Sequence, residues 1–175
     1  MAPPPTGEPE LAGYGSFYRR ELPALTALAA AVTGNDLVAE DLAQEALVRA
    51  YRRWDVVSTY DKPGAWVRRV TINLALSARK RATAEIKARL RLGQAPVLAP
   101  APAIHGDVWA AVRQLPGQQR AAVALHYLED RPVREIAEIL DCAESTAKVH
   151  LHRGRTALAA RLDPTGTEPN EGADR

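Results

Sequence analysis

The sequence predicts an all-α protein built from two small helical domains joined by an extended Pro/Ala-rich linker. Proline placement is the first observation. Prolines crowd the N-terminus, the stretch 93–106 and the tail, and leave 24–62, 64–95, 103–115 and 133–163 free. The free spans are rich in Ala, Leu, Arg and Glu, which favour helix. Third, no stretch sustains an alternation of apolar and polar residues, and β-branched runs are short.

Composition bounds the function. The chain has 175 residues, 46% hydrophobic and 25% charged, with a net charge of +2 from 23 basic and 21 acidic residues. That balance excludes wholesale disorder, collagen-like repeats and a disulfide scaffold. A single cysteine, Cys142, forms no internal disulfide. No run approaches the roughly 18 apolar residues of a membrane helix, so no membrane role is expected. Residues 1–10 lack the basic and apolar regions of a signal peptide, so the expected location is the cytoplasm.

The proline-rich stretch divides the chain. Residues 1–12 are expected to be a disordered N-terminus, 13–90 the first domain, 91–106 the linker, 107–162 the second domain and 163–175 a disordered tail. Polyproline-like geometry makes such a linker a semi-rigid spacer. Each half is small and is expected to bury only a modest core.

In the first half, 16–33 carries Phe17, Leu22, Leu25, Leu28, Ala29 and Val32 on one helical face, with Pro23 as a kink or a new start. The run 33–36 (TGND) reads as a helix stop followed by an N-cap. The next helix, 36–54, steps through Val38, Leu42, Ala46, Ala50 and Trp54. Its acids (Asp36, Glu40, Asp41, Glu45) lie early and its arginines (Arg49, Arg52, Arg53) late, which suits the helix dipole. Residues 56–61 read as a loop, and Pro63 suits the first position of a third helix. There Trp66, Val67, Val70, Leu74 and Ala78 form the core stripe. Arg69, Asn73 and Lys80 fall within about 40° of one another, with Arg68 and Arg79 further round. From Lys62 to Arg91 nine basic residues face one acid, Glu85. A basic stripe carrying an amide fits nucleic acid, with cations for phosphates and Asn73 for a base edge.

In the second half, 107–115 and 118–129 read as helices around Pro116 and Gly117. Residues 132–155 (PVREIAEILDCAESTAKVHLHRGR) read as helix, three-residue turn, helix. Ile136, Ala137 and Leu140 face inward from the first, and Ala147, Leu151 and Leu158 from the second. Asp141 sits where the turn requires positive φ. This is the helix-turn-helix pattern, whose second helix enters the major groove. Its outward residues Glu144, Lys148, His152, Arg153 and Arg155 include donors for base edges and phosphates.

These motifs, in this order, resemble a bacterial sigma factor of the extracytoplasmic-function type. FYRR at 17–20 with LP at 22–23 resembles the family's opening helix. AEDLAQEALVRAY at 39–51 resembles region 2.2, and AWVRRVTINLA at 65–75 resembles regions 2.3 and 2.4. LP at 115–116 with QR at 119–120 resembles region 4.1, and 132–155 resembles region 4.2. The resemblance implies a region 2 helical bundle and a region 4 helix-turn-helix. It implies that Asp41, Gln44, Glu45 and Arg49 dock on the β′ clamp helices of core RNA polymerase, and that region 4.1 meets the β flap. The loop 57–64 would help hold a flipped −10 base, read by Asn73. Arg68, Arg69, Arg79, Lys80 and Arg81 would hold DNA backbone near the −10 element. Glu144, Ser145, Thr146, Lys148, His150, His152, Arg153 and Arg155 would face the −35 element. Promoter DNA and an anti-sigma factor are further implied partners. No cofactor, metal or catalytic residue is implied.

Three departures from the family pattern stand out. Ala143 replaces an N-capping Ser, at about 1 kcal/mol. Gly154 interrupts the recognition helix, at about 1 kcal/mol more, so helix 143–161 is expected to fray when free. The linker 86–106 carries no acid, where the family has acidic residues in the RNA exit path.

Two other readings compete with this one. A one-component helix-turn-helix regulator would act without polymerase, but calls for a ligand or receiver domain that is not evident. An enzyme would need a site. His150 and His152 lie about 200° apart on a helix and cannot easily share a metal, and Cys142 reads as a small core residue.

Overall fold

The structure, a computed structural model, describes residues 8–93 and 106–162, with side chains from residue 13 onward. The extended geometry expected of the linker, and the tails 1–7 and 163–175, lie outside the described residues.

Every regular element among the described residues is a helix: α1 (Glu8–Thr33), α2 (Asp36–Tyr51), α3 (Trp54–Val57), α4 (Pro63–Arg91), α5 (Asp107–Val112), α6 (Gly117–Glu129), α7 (Val133–Leu140) and α8 (Glu144–Leu162). Helix α1 begins at Glu8, inside the stretch expected to be disordered, and runs through Pro23 without a break. It ends at Gly34, φ 76°. Asn35 then caps α2 as expected, its side chain accepting from the N–H groups of Leu37 and Val38 at 3.1 and 3.3 Å.

Helix α2 ends three residues early, and residues 54–57 turn as the separate α3. Trp54 thereby swings under α1, 4.9 Å from Phe17 between ring centroids, while the Tyr14 hydroxyl donates to the Leu47 carbonyl at 2.8 Å. The buried face of α2 is Ala39, Ala43, Ala46, Leu47 and Ala50. This is rotated from the stripe expected from the larger residues, because a row of alanines lets α1 and α4 approach closely. Pro63 opens α4 as expected.

In the second half, α7, the turn at 141–143 and α8 form the helix-turn-helix. Asp141 takes φ 56°, as expected, and a second aspartate, Asp130, ends α6 at φ 50°. Ile136, Ala137, Ala147, Leu151 and Leu158 are buried.

The halves do not keep separate cores. Leu28, Ala31 and Val32 of α1 and Ile72 and Ala75 of α4 join Leu115, Val123, Leu125, Ile136 and Leu151 in one buried cluster. A second cluster around Phe17, Leu25, Leu47 and Val67 belongs to the first half alone. The reason lies in α1 and α4. Each carries a second apolar face, and α5–α8 cover it.

Candidate nucleic-acid interface

Helix α8 is anchored on one side and open on the other. Ala147, Leu151, Gly154 and Leu158 are buried. Ser145, Thr146, Lys148, His152 and Arg153 are exposed. Glu144 pairs with Lys148 at 3.1 Å within the first turn. His150 is half-buried. Arg155 is exposed but turned toward α6: it donates to the Tyr127 hydroxyl at 2.9 Å and lies over that ring. Sequence reasoning missed Tyr127, an exposed aromatic beside the α8 face. Its sequence signal is slight: His126 precedes it, and Asp130 and Arg131 lie one turn further on.

Gly154 reverses an expectation. A Cβ there would lie 2.7 Å from Val123 Cγ2. The residue is buried in a continuous 19-residue helix. The missing side chain is what lets α8 lie against α6, so the propensity loss is offset by packing rather than left to fray the helix.

On α4 the expected basic stripe divides. Asn73, Lys80 and Arg81 are exposed. Arg79 is half-buried and donates to the carbonyls of Thr33 and Arg113 at 3.1 and 2.7 Å. Burial and then the charge of Arg113 hold its guanidinium below its ordinary value. Arg69 reaches the turn of the helix-turn-helix, with the Glu138 carbonyl and the Asp141 carboxylate (3.2 Å) as partners.

Arg68 is not a surface cation at all. It is 5% exposed and bridges Glu21 of α1 at 2.7 Å and Glu129 of α6 at 2.5 Å. In this arrangement it has no face left for DNA, contrary to the expectation that it holds backbone near a −10 element. The cause is position. Its side chain points off the stripe toward the α1–α6 seam, and Gly64 one turn earlier leaves room for it: a Cβ at 64 would lie 2.9 Å from Arg68 Nη1. Arg120 is likewise buried, donating to the carbonyls of Val32 and Leu115. Burial, then the charge of Arg79, lowers it to about 10.

The other expected interface lies on α2. Asp41, Gln44 and Arg49 are exposed and Glu45 is half-buried, paired with Arg49 at 2.8 Å. Round the end of α2, Arg49, Arg52, Arg53, Trp66 and Val70 line a hollow of about 390 Å³. The sequence marks Arg52 and Arg53 only as complements to the helix dipole, and Trp66 as core. The arginines' signal was their adjacency to the aromatic, which only the packing of α2 on α4 creates.

Among the described residues no group of three or more His, Cys, Asp or Glu could hold a metal ion, and no helix is long and apolar enough to cross a membrane. Cys142 is half-buried against the shared core. Burial, then the Asp141 charge, raises its thiol, which disfavours the nucleophilic thiolate.

Comparison with known proteins accounts for both halves. Residues 17–85 match the family of sigma-70 region 2, and residues 105–158 match that of sigma-70 region 4. The ECF RNA polymerase sigma factor SigW of Bacillus subtilis is 31% identical over 145 residues, covering 74% of this chain and 78% of that protein. The RNA polymerase sigma-E factor of Streptomyces coelicolor is 29% identical, covering 93% and 96%. Among solved structures, the sigma factor RpoE in complex with the anti-sigma factor NepR from Bartonella quintana superposes with a TM-score of 0.71. That pair is 25% identical and covers 88% of this chain and 99% of that one.

The fold and its two matched regions are thus those of a sigma-70-type transcription initiation factor. Within that class, the chain belongs to the extracytoplasmic-function RNA polymerase sigma factors. The reading as a one-component regulator finds no support here, since regions 2 and 4 together take up most of the described chain.

Proposed function

We propose that the chain recruits core RNA polymerase to promoters through four surfaces. The α2 face of Asp41, Gln44, Glu45 and Arg49 docks on the β′ clamp helices, and the α5–α6 corner meets the β flap. The α4 face of Asn73, Lys80 and Arg81, with Arg69 and Arg79 once released from their internal partners, engages the −10 element. The segment 57–64, which runs from the last residue of α3 through the connection 58–62 into the start of α4, helps hold the flipped base there. The outward face of α8 reads the −35 element, with Lys148, His152 and Arg153 foremost. His150, half-buried, and Arg155, held at Tyr127, contribute from the edge of that face. Arg68 gives internal support between Glu21 and Glu129 and takes no part in the DNA contact.

The observation that carries this reading is α8. One side is held by Ala147, Leu151 and Leu158, so the opposite side presents its donors from a fixed platform, as a groove-reading helix must. The protein supplies no covalent chemistry. It captures an unstacked base, whose flipping costs a few kcal/mol that pocket and phosphate contacts offset. Its working place is the cytoplasm, with polymerase at the nucleoid. An anti-sigma factor as a partner is supported by the RpoE–NepR neighbour.

In vitro transcription tests the reading. Purified core enzyme with this protein should initiate from a subset of a genomic fragment library, and core alone should not. Equal initiation with and without the protein would overturn it.

A further inference from the structure

Two arginines near the seam of α4 and α6 are taken out of water without a counter-charge. Arg120 is 2% exposed and donates to the carbonyls of Val32 and Leu115. Its Nε has no hydrogen-bond partner. Arg79 is half-buried and donates to the carbonyls of Thr33 and Arg113. Among the described residues neither pairs with a carboxylate, whereas buried Arg68 sits between two. Burial, then the charge of a neighbouring arginine, lowers both guanidinium groups, Arg120 to about 10. A buried cation calls for an anion beside it, and the described chain supplies none here.

Both arginines line one open hollow of about 480 Å³. Small-molecule sites run from about 300 to 1,000 Å³. On its α4 wall Lys80 and Lys87 lie two turns apart with Thr83 between them, a row of roughly 10 Å on one helical face. Both lysines are exposed, and no acid lines the hollow. The facing wall is the start of α6. Gly117 brings that backbone against α4: a Cβ there would lie 2.7 Å from Leu76 Cδ2. No side chain caps α6, so its first-turn N–H groups lack intrahelical acceptors and present the positive end of the helix dipole.

Uncapped helix N-termini, guanidinium and ammonium groups all bind phosphate oxygens. Here they surround a concave space. A single phosphate ion would engage only part of the set, and a duplex offers its phosphates from a convex surface. We propose that the hollow is a binding site for a small molecule carrying two or more linked phosphates, either inorganic pyrophosphate or a nucleoside diphosphate. The phosphates lie between the α6 N-terminus and the Lys80–Lys87 row, with Arg120 adding its charge from the inner wall. Leu76 and Gln118 flank the space left for a sugar or base. The site goes beyond the sigma-factor reading and stands without it.

The test uses the full chain in magnesium-free buffer at about 0.15 M salt, where exposed charges are screened within about 8 Å. Arg79 and Lys80 also belong to the −10 face proposed above, so both stay intact. Arg120→Leu would strand the carbonyls of Val32 and Leu115 and disturb the fold. Lys87→Gln and Thr83→Glu, both at exposed positions, therefore carry the test. Arg19→Gln, exposed on α1, is the charge-matched reference for Lys87→Gln. Circular dichroism first establishes that all three fold. Calorimetric titrations with pyrophosphate, ADP, GDP, inorganic phosphate and guanosine should show one saturable site per chain. At least one of the three linked-phosphate probes should bind about tenfold tighter than phosphate or guanosine. Lys87→Gln should weaken that binding about fivefold and Thr83→Glu about tenfold, with Arg19→Gln like wild type. Equal affinities for pyrophosphate, ADP and GDP would support a site that reads phosphate alone, and tighter nucleotides one that also holds the base. No saturable binding by any of the three would overturn the site. So would binding that neither variant weakens. A single-stranded oligonucleotide, titrated in parallel, covers the other source of phosphate. If Lys87→Gln weakened its binding while no linked-phosphate probe bound, the hollow would serve the DNA backbone and the proposal would fall.

Discussion

Gly154 on α8 and Val123 on α6 approach so closely that a Cβ at 154 would fall 2.7 Å from Val123 Cγ2, with the Gln119 carbonyl at 3.5 Å. Valine is stiff at χ1, so the neighbour cannot turn away cheaply. In a solvent-exposed helix, Gly→Ala gains about 1 kcal/mol. Here the expected outcome is the reverse. Gly154→Ala should destabilise the protein by about 1–3 kcal/mol through overpacking, read from urea denaturation midpoints. A more stable variant would mean that α8 does not lie on α6 this closely.

Polymerase docking is tested on α2. Asp41 is exposed and Glu45 pairs with Arg49 of its own helix at 2.8 Å, so reversing either charge should leave the fold intact. Asp41→Arg or Glu45→Arg should weaken binding to the β′ clamp helices by about tenfold, equivalent to about 1.4 kcal/mol. Pull-down with folded variants measures it, and undiminished binding of the double variant would remove α2 from the interface.

For the upstream element, Arg153 is the cleanest probe, because it is exposed on α8 whereas Arg155 is held at Tyr127. Arg153→Ala should weaken −35 binding and lower the salt slope by about 0.9 if the contact is to phosphate. Preference among −10 sequences should stay as in wild type. A change confined to −10 preference would move α8 away from the −35 element.

Strand opening separates Asn73 from Lys80, both exposed on α4. A neutral amide suits a base edge and a cation suits phosphate. Asn73→Ala should relax discrimination at one −10 position with closed-duplex binding nearly unchanged. Lys80→Ala should weaken all sequences evenly. Permanganate footprinting of −10 variants with core enzyme distinguishes the two patterns. Wild-type preference in Asn73→Ala would leave α4 as an electrostatic surface only.

Acid should loosen the Arg68 site. Burial pushes the Glu21 carboxyl up, but hydrogen bonds from Arg68 and Arg20, and their charges, outweigh it and leave it below its ordinary value. A carboxylate lowered by folding contributes stability above its unfolded value and loses it as pH falls through the folded one. Thermal stability should therefore decline below about pH 4.3. Glu21→Gln should be less stable at neutral pH and should flatten that acid limb. An unchanged limb would mean that Glu21 and Arg68 are not paired in solution.

Much was legible from residue order alone, because the signals are local. Asn35 after Gly34 caps α2, Pro63 opens α4, and Asp141 takes the positive φ that a three-residue turn demands. Each depends on a few neighbouring backbone angles and donors, which the residue types themselves restrict. The outward donors of α8 were likewise legible, since burying Ala147, Leu151 and Leu158 leaves one opposite face. The use made of each charge was decided elsewhere. Arg68 and Arg69 are adjacent and chemically identical, yet one is buried between two carboxylates and the other is half-exposed at a turn. Gly154 looked like a weakness and is a contact. Periodicity says which residues share a helical face, but not which distant helix packs on it. The second apolar faces of α1 and α4 became part of one core only because α5–α8 fold back over them. Burial by those distant helices then sets which cations remain free for DNA, because an ionised group taken out of water must be paired where it lies.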